Sequence, residues 1–276
     1  IYAQIAADAV GVSIHQVRIV TGDTDVTPYG GGTWASRGAG VGGEAVLLAC
    51  QALQDNILKL AGAILNRPVT ELTVHRSHVL DKATGEQLLP FSEIGRIGYF
   101  RTDTLPAGFS ADLMVTRHYT QKEYPFIFTN GVQASYVEVD PDTGFVKLLK
   151  HWAVEDCGRV LNPMLVDEQV RGAIVQGIGG VLFEECLYDD SGLLRNGSMA
   201  DYLVPMANEM PDIEVAHVET PTQSSKLGAK GAGEAGTAGA PGAVQNAIND
   251  ALAPFNTAVF DQPITCEKIL KALGKV

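Results

Sequence analysis

The stretch that decides the architecture of this chain reads Lys226-Leu-Gly-Ala-Lys-Gly-Ala-Gly-Glu-Ala-Gly-Thr-Ala-Gly-Ala-Pro-Gly242. Six glycines lie between Gly228 and Gly242, and Glu234 is the only carboxylate among them. Glycine has no Cβ, so it lets the backbone approach a ligand closely and adopt positive φ. A single carboxylate in a poorly hydrated loop of this kind can serve as a general acid or base. The alternative is a solvated loop glutamate, since glutamate is seldom fully buried.

A dinucleotide-binding interpretation of this segment has to be considered, because Gly231-Ala-Gly-Glu-Ala-Gly236 matches the pattern G-x-G-x-x-G. That pattern is informative only when it follows a strand and opens a helix. The polar run 221–226 does not predict a strand. Pro241 is typical of a first helical turn and predicts a helix that begins after the third glycine. A nicotinamide-dinucleotide-binding domain is therefore the weakest of the alternatives.

Composition limits the classes of protein to which the chain can belong. The 276 residues are 46% hydrophobic and carry a formal net charge of −12, which is typical of a globular domain and disfavours nucleic acid or an anionic membrane as a partner. We expect a cytoplasmic protein with no bilayer-spanning segment. We also expect a processed piece of a longer chain, because Ile1 falls inside a predicted helix. The sequence contains no C-x-x-C, which predicts reduced, mostly buried thiols at Cys50, Cys157, Cys186 and Cys266.

A second glycine cluster lies about 200 residues upstream and reads Tyr29-Gly-Gly-Gly-Thr-Trp-Ala-Ser-Arg-Gly-Ala-Gly-Val-Gly-Gly43. Backbone N–H groups in such loops form anion-binding nests. Two clusters of this kind predict one extended ligand held from two sides, although each could be only a tight loop. A long amphipathic helix is predicted directly after the cluster, over residues 44–65, because its apolar residues recur at helical spacing.

The remaining patterns predict an α+β fold, because helices and strands are mixed without a regular βαβ alternation. A hairpin turn is predicted at Pro141–Gly144. We expect two sub-domains, 1–150 with the glycine-rich loop 30–43, and 151–276 with the Glu234 loop. Helices are predicted over 1–10, 91–97, 163–176, 241–252 and 266–273, and strands over 16–20, 72–80, 112–120, 134–140, 145–154, 181–188 and 213–218.

Several other residues are weaker candidates for a site. Gln169 and Gln176 lie seven apart on one predicted helix and share a face, where amides can contact a ligand. His75 and His78 are expected on opposite faces of one strand, so no metal site is assigned to them. Cys157 has no histidine partner in the sequence and is interpreted as an inert thiol.

Five segments occur in one order along the chain and together resemble the molybdenum hydroxylase family, which includes xanthine dehydrogenase, aldehyde oxidoreductase and the large subunit of carbon monoxide dehydrogenase. The resemblance covers almost the whole chain and is closest to the C-terminal, molybdopterin-binding part of large subunits. The segments are Val20-Thr-Gly-Asp-Thr-Asp25, Gly32-Thr-Trp-Ala-Ser-Arg37, Glu155-Asp-Cys-Gly-Arg-Val-Leu-Asn-Pro163, Gln169-Val-Arg-Gly-Ala-Ile-Val-Gln-Gly-Ile-Gly179 and Lys230-Gly-Ala-Gly-Glu-Ala-Gly-Thr-Ala-Gly-Ala-Pro241.

The resemblance implies a role for each matching residue. Glu234 corresponds to the general base that takes a proton from the attacking oxygen. The cofactor is implied to be molybdenum–molybdopterin, in its cytosine dinucleotide form. Its own dithiolene holds the metal, so no protein metal ligand is expected. The residues implied to contact the cofactor are Gly32, Thr33, Ala35, Ser36, Arg37, Gln169, Lys230, Gly231, Ala232 and Gly233.

The reaction that the resemblance implies is insertion of a water-derived oxygen at an electron-poor carbon of an aldehyde, purine or N-heterocycle. Its partners are the N-terminal part of the large subunit, an iron–sulfur subunit, a flavin subunit with FAD, and a small-molecule substrate. The chain departs from the family pattern at Glu168, where glycine is usual, and at Ser225-Lys226, where Asn-Pro is common. The alternative hypothesis is a non-catalytic, cofactor-free fragment or assembly domain of such an enzyme.

Overall fold

The computed structural model describes residues 1–121 and 127–276 and divides the chain into two compact units. Helices and two three-stranded sheets are mixed along the chain, which confirms the predicted α+β class. The division into sub-domains 1–150 and 151–276 stays a prediction. The first unit comprises Ile1–Trp34, Gly38–Pro125 and Ser224–Leu227, and the second comprises Ala35–Arg37, Phe126–Gln223 and Gly228–Val276.

The first unit packs three helices against a small antiparallel sheet. The helices are α1 (Tyr2–Val10), α2 (Glu44–Leu65) and α3 (Phe91–Phe100). The sheet order is β1-β2-β3, with strands Leu72–His75, His78–Asp81 and Gln87–Pro90. All three helices confirm predictions, and α2 begins and ends where its apolar spacing placed it. The buried core of this unit consists of Val10, Ile57, Leu60, Ala61, Leu72, Val79, Leu89 and Ile94.

The segment 72–80 is a hairpin rather than the single strand that its apolar run predicted. A two-residue turn at Arg76-Ser77, with φ of 45° and 62°, reverses the chain between β1 and β2. His75 and His78 are therefore register partners on adjacent strands, and the prediction that they face opposite sides of one strand is wrong. The turn escaped prediction because neither residue is the glycine or asparagine that usually occupies positive φ.

The second unit contains a three-stranded sheet of order β4-β5-β6, covered by helices. Strands β4 (Asn130–Val139) and β5 (Val146–Asp156) form the predicted antiparallel hairpin, and β6 (Asp212–His217) runs parallel to β5. The helices are α4 (Pro163–Leu182), α5 (Ala235–Leu252) and α6 (Cys266–Ala272). As predicted, α4 begins after Asn162, whose side chain accepts a hydrogen bond from the Leu165 amide. The apolar core of the second unit is built mainly from Val170, Ile174, Ile178, Val181, Ala240, Val244, Ile248 and Leu252.

Glycines allow α4 and α5 to cross at short range. A Cβ on Gly177 would lie 2.9 Å from the Thr237 carbonyl oxygen and 2.9 Å from the Ala240 Cβ. A Cβ on Gly236 would lie 2.5 Å from the Val170 carbonyl oxygen. All three distances are below 3.0 Å, which real Cβ atoms essentially never show, so the crossing requires glycine at both positions.

Helix α5 begins at Ala235, six residues before the predicted start at Pro241, which lies inside the helix. Proline has no N–H, so the carbonyl four residues earlier, at Thr237, receives no helical bond from it. The proline lies at the α4 crossing, where the Gly177 backbone comes close. Packing against α4 therefore stabilises a first turn that begins at Ala235, although Pro241 predicted that the helix begins later.

Three predicted strands are not strands. Residues 16–20 and 112–120 are extended or irregular and pair with no strand among the described residues. Ile19 and Val20 are exposed, so the alternating pattern had no buried face to fill. In the segment 181–188, Val181 and Leu182 instead complete α4, because Val181 is buried in the helical core.

Candidate functional site

Glu234 and Ser36 are joined by two hydrogen bonds although they lie 198 residues apart. The Ser36 hydroxyl donates to Glu234 Oε2 at 2.7 Å and accepts from the Glu234 amide at 2.9 Å. Glu234 directly precedes α5, so Ser36 satisfies one of the amides that a helix N-terminus leaves without a partner. The Ser36 hydroxyl thereby holds both the backbone amide and the carboxylate of Glu234.

The backbone that presents Ser36 has an uncommon conformation. Ala35 and Ser36 both have positive φ, 51° and 54°, which non-glycine residues rarely adopt. Such backbone strain persists where the surrounding structure requires it and is concentrated at functional sites. The two residues belong to the second unit although the chain on either side of 35–37 belongs to the first.

Glycines of the Glu234 loop let this loop approach Ser36. A Cβ on Gly231 would lie 3.0 Å from the Ser36 Cβ, and one on Gly233 would lie 3.3 Å from the Ser36 Oγ. The Gln169 side chain, on α4, donates to the Gly233 carbonyl at 3.0 Å. The structure thus brings together Ser36, Gln169 and Glu234, which were all predicted as site residues.

Lys230 ties the start of the loop to the end of β5 and does not pair with Glu234. Its ammonium lies 3.0 Å from Asp156 Oδ2 and 2.5 Å from the Thr220 hydroxyl. Burial acts to raise the pKa of Asp156, but hydrogen bonds from Thr220, Gly158 and Lys230 outweigh it and hold that pKa well below its usual range. Lys230 therefore has a structural role, with its side chain turned towards Asp156.

The second unit contains a cavity of about 450 Å³, which we call the Glu234 cavity. It lies between the loop that carries Glu234 and the hairpin formed by β4 and β5. Glu234 is an exposed side chain on its wall, so in this chain the glutamate is solvated rather than buried. The lining residues are Ala35, Ser36, Ile127, Phe128, Thr129, Asn130, Gly131, Gln133, Glu155, Gly231, Glu234, Ala235, Ala238 and Gly239.

The other residues predicted to contact the cofactor belong to different units. Gly32 and Thr33 belong to the first unit, whereas Arg37 and Ala232 belong to the second. At the predicted departure from the family pattern, Glu168 lies inside α4 and forms an ion pair with Arg171 at 2.8 Å. A glutamate at this position is thus compatible with a continuous helix.

Sequence reasoning missed a polar network that includes two residues of the cavity wall, Gln133 and Glu155. Gln133 Nε2 donates to Glu155 Oε1 at 2.9 Å, and Gln133 Oε1 lies 3.2 Å from His151 Nε2. His151 Nδ1 lies 2.8 Å from the Ser135 hydroxyl. These side chains occupy the alternating positions of β4 and β5 that turn towards the helices. On β4, Gln133 and Ser135 are polar although Val137, on the same face of the strand, is apolar. This break in the apolar pattern was the signal that could have revealed the network.

Burial shifts the pKa of two members of this network. It lowers the pKa of the fully buried His151 to about 4, so the imidazole is neutral at neutral pH. Burial also raises the pKa of Glu155, against smaller lowering effects from the Gln133 hydrogen bond and from the charge of His217. Gln133 therefore links a buried neutral histidine to a buried carboxyl group that binds a proton more readily than usual.

The four cysteines are free thiols, but the prediction that most of them are buried is wrong. Cys157 is buried, and burial raises the pKa of its thiol, whereas Cys186 and Cys266 are exposed. Within residues 1–121 and 127–276, no group of three or more His, Cys, Asp or Glu side chains could hold a metal ion. None of the helices in this part of the chain has the length and hydropathy needed to cross a bilayer.

The dinucleotide interpretation of the glycine loop lacks the strand that it requires. Residues 221–226 contain no strand, and the loop before Glu234 makes only an isolated bridge between Ala229 and Gly158. The predicted gap between the glycines and the helix was wrong, because α5 begins within the motif.

Comparison with protein-family models matches residues 1–211 to the molybdopterin cofactor-binding domain. Among curated proteins, the chain is 36% identical over 270 residues to the nicotine 6-hydroxylase large subunit of Paenarthrobacter nicotinovorans, covering 98% of this chain and 33% of that protein. It is 29% identical over 272 residues to the carbon monoxide dehydrogenase large chain of Hydrogenophaga pseudoflava, covering 99% and 33%. The chain therefore spans about a third of the length of these relatives.

A solved structure with a similar fold is quinoline 2-oxidoreductase from Pseudomonas putida 86. The two superpose with a TM-score of 0.87 at 38% identity, covering 99% of this chain and 34% of that one. The aldehyde oxidoreductase of Desulfovibrio gigas shares the fold at a TM-score of 0.69 and 21% identity.

Proposed function

The chain belongs to the molybdopterin cofactor-binding domain family of molybdenum hydroxylase large subunits, and on that premise we propose that it supplies the general base of a hydroxylase. The proposed reaction inserts a water-derived oxygen at an electron-poor carbon of an aldehyde, purine or N-heterocycle. The observation that carries the proposal is the double hydrogen bond that fixes Glu234 to Ser36 on the wall of the cavity.

The residues around Glu234 fit a long ligand that is held mainly by backbone groups. Gly231, Gly233 and the positive-φ pair Ala35-Ser36 form a wall with little side-chain bulk, and a Cβ at either glycine would crowd Ser36. Backbone amides in such segments bind anionic groups such as a pyrophosphate. The amides of Lys230, Gly231 and Glu234 already donate within the chain, so the proposed contacts to the ligand come from the other backbone groups of the wall. The residues proposed to hold the cofactor are Gly32, Thr33, Ala35, Ser36, Arg37, Gln169, Lys230, Gly231, Ala232 and Gly233.

When bound, a molybdenum cofactor supplies the two-electron acceptor for the oxidation. Glu234 supplies the proton acceptor. The Ser36 hydroxyl bonds Oε2, and among the described residues no group hydrogen-bonds the second oxygen, Oε1. Ser36 thereby sets the direction in which Oε1 can receive a proton from an oxygen nucleophile. Gln169 supports this arrangement because its amide holds the carbonyl of Gly233, the residue before the base.

The cofactor form, the location and the partners are part of the same proposal. We propose a cytosine dinucleotide cofactor and a cytoplasmic enzyme. The partners proposed are the N-terminal part of the large subunit, an iron–sulfur subunit and a flavin subunit with FAD. Two relatives are named as a large subunit and a large chain, which supports an assembly of several subunits.

The test is Glu234→Gln in the assembled enzyme. An amide cannot accept the proton, so we expect the rate of substrate-dependent reduction to fall about 10²- to 10⁴-fold while the cofactor stays bound. Stopped-flow reduction in a single turnover measures the chemical step, and metal analysis measures the cofactor. Glu138→Gln, an exposed change on β4, is the matched control. Normal reduction by the Glu234 variant would remove the glutamate from the chemistry.

A further inference from the structure

The side chain of Gln133 lies at the wall of the Glu234 cavity and joins three elements there. Its Nε2 donates to the Gly236 carbonyl of α5 at 3.0 Å and to Glu155 of β5 at 2.9 Å, and lies 3.4 Å from the Ala235 carbonyl. Ala235 and Gly236 form the first turn of α5, directly after Glu234. We propose that Gln133 is a positioning residue that holds this first turn, and with it Glu234, in place against Ser36. This inference rests on the proposed function of Glu234.

Two glycines make room for this bridge. A Cβ on Gly239 would lie 2.8 Å from Gln133 Cδ, so a larger residue on that face of α5 would displace the amide. A Cβ on Gly131 would overlap the Glu155 carboxylate. Gly239 belongs to the same glycine-rich segment as Glu234. Part of the glycine spacing in that segment therefore serves the Gln133 bridge rather than a ligand.

The hydrogen-bond network leaves one orientation for the Gln133 amide. Its Nε2 faces two backbone carbonyls and a carboxylate, which are all acceptors, so the nitrogen must occupy that side. Gln133 Oε1 then accepts from His151 Nε2, and His151 Nδ1 accepts from the Ser135 hydroxyl. His151 is fully buried, so the opposite end of the amide is anchored in the sheet.

The position of this anchor explains why it bears on catalysis. Among the described residues neither Gln133 nor His151 forms a hydrogen bond with Glu234, so neither is placed as a catalytic residue. The first turn of α5 is held on one side by Gln133 and at its start by the Ser36 bonds to Glu234. Loss of the Gln133 bonds frees this turn from the sheet and leaves it held by Ser36 and by α4, where the Thr237 hydroxyl donates to the Ala173 carbonyl at 3.0 Å. A displacement of about 1 Å at a catalytic group can cost about 10²-fold in rate.

The experiment compares Gln133→Met with Gln245→Met in the assembled enzyme. Methionine keeps the length of glutamine without its hydrogen bonds. Gln245 lies on α5 and its side chain is bonded to Gln262, away from the Gln133 network. We expect Gln133→Met to lower kcat about 10- to 100-fold with KM changed less than about threefold. We also expect faster amide hydrogen exchange at residues 235–240 and unchanged molybdenum content. Gln245→Met should match the wild type in all four measurements.

A second variant moves the amide without removing it. Gly239→Ala keeps every polar group of the network and pushes Gln133 off the first turn, so we expect the same fall in kcat and faster exchange at 235–240. This variant tests the inference even when Gln133→Met does not fold.

The outcomes separate the inference from the proposed function. If Glu234→Gln stops turnover while Gln133→Met and Gly239→Ala retain wild-type kcat and exchange, the positioning role is wrong and the base remains. If Glu234→Gln turns over normally, the proposed function itself is wrong. A fall in kcat for Gln133→Met without faster exchange at 235–240 would also overturn the positioning role, because the first turn would not have loosened.

Discussion

At the scale of single residues, hydroxyl and amide side chains hold Glu234 and the backbone on either side of it in place. Ser36 bonds both the amide and the carboxylate of the glutamate, Gln169 bonds the preceding carbonyl, and Gln133 bonds the following turn. These groups are neutral, so they orient the carboxylate without adding a charge beside it. Lys230, the cation nearest in sequence, is instead paired with Asp156.

His151 gives the second unit a dependence of stability on pH. The folded pKa of about 4 lies below the ordinary value of 6.5, so the unfolded chain binds the proton more readily between these values. The free energy of unfolding should therefore fall as the pH drops from about 6.5 to about 4, by up to about 1.4 kcal/mol per pH unit, and level off below.

The measurement is urea unfolding at several pH values for the wild type and His151→Gln. We expect the difference in unfolding free energy between the two proteins to vary with pH only in this window. Glu155, with a raised pKa, acts in the opposite sense, because it stabilises the fold as the pH falls. It is present in both proteins, so the difference isolates the histidine. A difference independent of pH would show that the pKa of His151 is the same in the folded and unfolded chains, which would contradict the effect of burial.

At the scale of elements, the crossing of α4 and α5 places Gln169 beside the loop that carries Glu234. Glycine at 177 and 236 lets the two helices touch backbone to backbone, and Pro241 is accommodated at the same crossing. The glycine-rich segment therefore has two structural uses, since Gly236 packs on α4 while Gly231 and Gly233 accommodate Ser36. Helix packing therefore explains Gly236, and the close approach of Ser36 explains Gly231 and Gly233, without reference to a ligand.

Gly177→Ala should destabilise the second unit. The added methyl would lie 2.9 Å from Ala240 Cβ and from the Thr237 carbonyl, and overpacking of this kind costs about 1–3 kcal/mol. Gly172→Ala on the same helix is the matched control, because nothing lies within 4 Å of its Cβ position and alanine favours a helix by about 0.5–1 kcal/mol. Thermal unfolding compares the two, and equal effects of both substitutions would refute the close crossing.

At the scale of the whole molecule, the chain forms two compact units and spans about a third of the length of its relatives. The chain passes between the units more than once, since residues 35–37 belong to the second unit and 224–227 to the first. Sequence neighbours such as Thr33 and Ser36 are therefore parts of different units.

The content of molybdenum distinguishes an enzyme from a cofactor-free assembly domain. We expect about one molybdenum per large subunit in the intact protein purified with its partners, because the backbone-lined wall beside Glu234 fits a pterin dinucleotide. Inductively coupled plasma mass spectrometry measures the metal, and release of a cytosine nucleotide on acid hydrolysis identifies the cofactor form. Protein without molybdenum, from cells that load another molybdenum enzyme, would favour the assembly domain.

The sequence by itself determined the α+β class, the family, helix α2 and the hairpin at Pro141–Gly144, because periodic apolar spacing and turn chemistry are local signals. It also singled out Ser36, Gln169 and Glu234 as site residues. Only the tertiary structure decided that α5 begins at Ala235, that Lys230 pairs with Asp156, and that Gln133 bridges to the first turn of α5. These features depend on contacts between residues far apart in the chain. Such contacts override the preference of proline for a first turn, and no local pattern records them.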